Sequence, residues 1–154
     1  MEELIKNCEK ETYAHIEQVN KFIHRLLDII SFRGVFHDRS KLQAPELETF
    51  AEYTPKLKTS TYGSDEYKGY LQEMGKALQH HYKTNRHHPE HFQEGIRGMN
   101  LADLTEMLCD WKAATLRHAN GDIRKSIEQN QQRFGYSDDL KQILLNTVEL
   151  LENE

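Results

Sequence analysis

Apolar residues recur at three- and four-residue steps through most of the chain, a spacing that predicts helices. The first should span residues 2–32, where Leu4, Cys8, Ile16, Val19, Ile23, Leu26 and Ile30 form one stripe and Gly34 is a stop signal. A short helical turn should cover 35–42. Pro45 suits the first turn of a helix over 46–53, with Pro55 closing it and 56–63 as loop. Ser64 is the cap of a helix through Tyr67, Leu71, Met74 and Leu78 to about residue 81. Residues 83–98 are polar and broken by Pro89, so they read as loop or short turns. Asn100 caps a helix over 101–119, with Leu104, Met107, Leu108 and Trp111 inward, and Gly121 ends it. Helices over 122–134 and 137–151 complete the chain. No segment alternates as a strand should. The pattern predicts an all-α, single-domain bundle of six to seven helices across residues 1–154.

Composition narrows the function classes. A 154-residue chain with 37% hydrophobic residues fits one domain with one core. Its formal net charge of -5 provides no field for nucleic acid or an anionic membrane, yet leaves room for a small phosphorylated ligand bound by a local group of cations. No run of about 20 apolar residues is present to cross a bilayer, and the charged start MEELIKNCEKE is unlike a secretory signal. A cytoplasmic protein is expected. Cys8 and Cys109 fall at apolar helical positions outside any CxxC, so they read as buried, reduced thiols rather than zinc ligands.

The chemistry concentrates in histidines and acids. Nine histidines are present, five of them between His80 and His91. His15 lies on or beside the first stripe, one turn after Glu11. His37-Asp38 is flanked by Val35-Phe36 and Leu42, and Asp110 stands mid-helix among Leu108, Cys109 and Trp111. Buried carboxylates need a partner or a metal, and neutral imidazole is the commonest metal ligand. The expected ligands are His15, His37, Asp38, His81, His87, His88 and Asp110, holding one or two divalent ions (Mn, Fe, Co, Ni, Zn or Mg). Asn85 should clamp the turn. Lys41, Arg86 and Arg117 are the candidates to neutralise phosphate oxygens, with Asp38, Lys41 and Arg117 as the catalytic set.

These residues resemble the HD-domain superfamily of metal-dependent phosphohydrolases. H-D-R-S-K (37–41) is similar to an H-D-x-G-K string, with Ser40 for the glycine, and D-W-K-A-A-T-L-R (110–117) to a D-x-x-D-A-x-x-x-R segment. More narrowly, the chain looks like a small group of bacterial and phage HD-like proteins with H-D-x-S-K, H-H-x-x-x-N-x-H-H and E-M-x-x-D-W strings, over roughly residues 11–118. The resemblance implies an all-α bundle with a metal centre and hydrolysis of a nucleotide-like phosphoester. A non-catalytic protein that sequesters a nucleotide signal would use the same residues. An HNH-type nuclease would need a hairpin that the pattern lacks, and a di-iron redox site is a further alternative. The apolar face of the last helix leaves room for a homo-oligomer.

Overall fold

The computed structural model describes residues 1–61, 63–117 and 121–152. All its regular structure is helical, as expected: α1 (Glu2–Phe36), α2 (Leu47–Thr59), α3 (Asp65–Thr84), α4 (Leu101–Thr115), α5 (Ile123–Phe134) and α6 (Asp138–Glu152), with short 3-10 turns at Arg39–Leu42, Pro89–His91 and Gly95–Gly98. Among the described residues no helix is long and apolar enough to cross a membrane.

Two compact units divide the chain, Met1–Phe36 and His37–Glu154. The first is α1 alone, a 35-residue helix with no buried residue. It runs through Gly34, where a stop was expected. The break comes instead at Asp38, whose backbone is left-handed (φ 56, ψ 14), a conformation Asp and Asn adopt more readily than most residues.

In the second unit, α2 packs on α3, and α4, α5 and α6 enclose the main core. Leu108, Ile123, Ile127, Tyr136, Leu144 and Val148 form that core, bordered by Trp111 and Phe134. Pro55 does not close α2. The helix continues to Thr59 with Pro55 inside it, and the turn beyond is held by Thr59 Oγ1 and the Ser60 amide, both donating to the Lys56 carbonyl. Ser64 caps α3 by accepting from the Tyr67 amide, and α3 runs three residues past its expected end. Gly75 kinks it with φ 44 and ψ -113, a conformation that a residue bearing Cβ strongly resists. Asn100 and Asp103 form a reciprocal capping box on α4. This helix stops at Thr115, and residues 118–119, to which the expected helix extended, lie outside the described residues. Cys8 and Cys109 are free, as expected, but both are exposed rather than buried.

Ile127 is completely buried at the centre of the core. Truncating it to Ala should destabilise the fold by about 2–5 kcal/mol, the usual range for an emptied core site. Urea unfolding followed by circular dichroism would measure this, and a loss below about 1 kcal/mol would show that α5 does not anchor the core.

Candidate metal centre

Local structure delivers the side chains from four places. The left-handed turn at Asp38 presents the His37-Asp38 pair. The Asp38 side chain makes no capping hydrogen bond to the 3-10 turn it precedes, although Asp in that position commonly caps. Instead, Lys41 Nζ donates to Asp38 Oδ2 at 2.6 Å. The last turn of α3 brings His80 and His81, and the following segment brings His87 and His88. On α4, Asp103, Glu106 and Asp110 recur at three- and four-residue steps and share a face, while Leu108 and Trp111 face the core.

Two sets of donor atoms converge on Asp38. In the first, His81 Nε2 lies 2.9 Å from His88 Nε2 and 3.4 Å from Asp38 Oδ1, and His87 Nε2 lies 3.4 Å from the same oxygen. In the second, His37 Nε2 lies 3.4 Å from Asp38 Oδ2 and 3.5 Å from Asp110 Oδ1. Metal–ligand bonds of about 2.1 Å separate neighbouring donors by about 3.0 Å at right angles and about 3.4 Å at tetrahedral angles. The observed spacings match that range. Asp38 contributes one oxygen to each set.

Unsatisfied atoms point the same way. Asp38 Oδ1 and both ring nitrogens of His87 are buried without a hydrogen-bond partner, an arrangement that in native proteins commonly marks a missing ion or water. These groups could hold a metal ion.

Carboxylates on the far side of the rings set their orientation. Glu46 is fully buried. A carboxylate only accepts, so His80 Nδ1 donates to Glu46 Oε1 at 2.7 Å and His81 Nδ1 to Glu46 Oε2 at 2.8 Å, which frees the His81 Nε2 lone pair to face the cluster. Ser40 Oγ donates to Glu46 Oε2, and Asn85 Nδ2 donates to Ser40 Oγ and the His81 carbonyl. Glu106 Oε1 accepts from His37 Nδ1 at 3.0 Å. It lies 3.1 Å from His87 Nδ1, out of line for a hydrogen bond. Carboxylate–histidine pairs of this kind fix the tautomer and raise the basicity of metal ligands.

The electrostatics follow. Burial opposes charge on Glu46, but the bonds from His80, His81 and Ser40 outweigh it and hold the group below the usual carboxylate value. Burial likewise opposes ionised Glu106, and His37 and His87 bring it down to about 2. Burial is overcome at Asp38 by Lys41, then His37 and His81, so its value is also lowered. Burial lowers His81 and His88, with Lys41 adding to the effect on His81 and His87 to that on His88, so both are neutral imidazoles as ligands require. His37 is the exception: Asp110 first and Glu106 second raise it to about 10.

Of the seven expected ligands, His37, Asp38, His81, His87, His88 and Asp110 fall in these groups. His15 lies exposed on α1, in the other unit, and in none of the ligand groups. His80 is held by Glu46, and His91 Nδ1 donates to the Tyr82 carbonyl. Asn85 clamps its turn as expected. Lys41 is at the cluster. Arg86 is instead committed to Asp103, donating from Nε and Nη2 at 3.0 Å each, and Arg117 is exposed just beyond α4. Sequence reasoning missed Glu46 and Glu106. Glu106 carried a signal, one helical turn before Asp110, whereas Glu46 resembles any acid at the start of a helix.

Comparison with known proteins adds one relationship. A family model described as "Family of unknown function (DUF5662)" matches residues 4–152. No curated protein and no solved structure matches the chain significantly.

Two outcomes test the centre. Glu46→Gln should lower metal affinity about 10- to 100-fold, as loss of a ligand-orienting carboxylate does; unchanged affinity by calorimetry would remove Glu46 from that role. An ion that takes His37 must also displace its proton, so binding at pH 7 should release protons and tighten as pH rises. Zn²⁺ titrations in buffers of different ionisation enthalpy would read the release, and buffer-independent heats would contradict it.

Proposed function

We propose that this chain, which belongs to that family of unknown function, is a metal-dependent phosphohydrolase acting on a small, nucleotide-like phosphoester. The observation that carries the reading is the division of Asp38 between two donor sets, Oδ1 toward His81, His87 and His88 and Oδ2 toward His37 and Asp110. A carboxylate so shared suits two ions. Three imidazoles and one carboxylate favour Zn, Mn, Fe, Co or Ni over Mg for the first ion. The second set has only three protein donors, as sites open to substrate do. His37-Asp38 beside Asp110 also supports the HD-like resemblance.

Divalent ions, when bound there, supply Lewis acidity and an acidified water. The chain's own residues do the rest. Asp38 is restrained by Lys41, and Glu46 and Glu106 hold the imidazoles in the ligating tautomer. Lys41, packed 4.9 Å over the Phe50 ring, places a cation beside the donor sets for a phosphoryl oxygen. Arg117 is the second candidate cation. Arg86, held by Asp103, braces the segment that carries His87 and His88.

Asp38→Asn is the decisive variant, because Asn tolerates the left-handed backbone while losing the charge. It should bind less than about a tenth of the wild-type metal and lose phosphatase activity by more than about 100-fold. The measurements are elemental analysis and a nucleotide and phosphoester screen with Mn, Co, Ni and Mg. Metal retained in the variant would sink the site. Wild-type protein that binds metal and nucleotide tightly without turnover would replace the hydrolase by a sequestering protein.

A further inference from the structure

α1 contributes no residue to the candidate ligand groups, yet it carries an apolar surface. Its apolar residues stay in the open: Ile5, Ile16, Val19, Phe22, Ile23 and Leu26 are 39–65% exposed. At about 100° per residue all six fall within about 60° of Val19, so they form one continuous stripe. From Ile5 to Leu26 the stripe runs about 32 Å along a helix of 35 residues, and an apolar stripe of that length is the mark of a helix that packs on another.

The charges beside the stripe identify the partner. In the N-terminal half the flanking charges are acidic, Glu2, Glu9 and Glu11, while Lys6 and Lys10 lie on the opposite face. In the C-terminal half the flanking charge is basic, Arg25, on the same side as Glu11, while Asp28 lies opposite. Such a helix is complementary to itself turned end for end. A membrane-binding helix would carry bases along its whole length.

We propose that α1 pairs with α1 of a second copy of this chain, antiparallel, about a two-fold axis at Val19. That register puts Glu11 on the same flank as Arg25 of the partner subunit, offset by about two residues, or about 3 Å along the axis, and repeats the pair by symmetry. His15 then occupies the interface, level with Ile23 of the partner subunit.

The full chain is tested. Sedimentation at micromolar concentration should give twice 18.2 kDa, and a monomer would overturn the proposal by leaving the chain's own residues to cover the stripe. Val19→Cys, in a background with Cys8 and Cys109 replaced by Ser, should form a disulfide dimer on mild oxidation. Native Cys8 in a Cys109→Ser background should not, because antiparallel pairing holds the two Cys8 residues about 33 Å apart; efficient Cys8 cross-linking would mean parallel helices and overturn it. Glu11→Arg and Arg25→Glu should each weaken the dimer at least about tenfold, and the double variant should recover it. Two single variants that remain helical and dimerise like wild type would also refute the pairing.

Discussion

A carboxylate with no exposure to solvent has to be fully hydrogen-bonded or neutral, because an unpaired buried charge costs several kcal/mol. Glu46 meets that constraint by accepting from Ser40, His80 and His81. Those three bonds join the 3-10 turn after Asp38, the start of α2 and the last turn of α3. Asn85 extends the same network to the end of α3. Geometry at the donor cluster therefore depends on a charge that is not itself aimed at the cluster.

α4 supports the other side of the centre, and it does so with two faces. Leu108 and Trp111 join the core with α5 and α6. Glu106 and Asp110 meet His37 from the neighbouring face. At its first turn, Asp103 closes the capping box and takes the Arg86 fork, which fixes the segment leading to His87 and His88 against the same helix. These carboxylates are thus mounted on a helix that also builds the core, where rotamers are little free.

Much of this was legible in the chain. The 3.6-residue period located all six helices, and the caps at Ser64 and Asn100 marked two starts, because period and cap chemistry act locally. Pro55 misled because α2 packs on α3 and the packing carries the helix through it, and Gly34 because one glycine costs a helix only about 1 kcal/mol. Six of seven expected ligands came together: apolar neighbours signalled burial for His37, Asp38 and Asp110, and the density of histidines marked His81, His87 and His88. His15 did not: on a helix that buries nothing, position on a stripe does not signal a ligand. Glu46 was invisible because its role depends on the register of α3 against α2, which no local pattern encodes. Arg86 looked like any free cation until its buried partner was known.

The carboxylates can also be read as a charge count. Glu46, Glu106, Asp38 and Asp110 bring four negative charges to the cluster, neutral His81 and His88 bring none, and His37 brings none once an ion has displaced its proton. Two divalent ions would cancel those four charges. Arg86 and Asp103 cancel each other. Lys41 is then the uncompensated charge, so a filled centre would carry a net excess of one positive charge at Lys41. Electroneutrality alone gives such a centre a preference for an anion, before any contact with a particular substrate is considered.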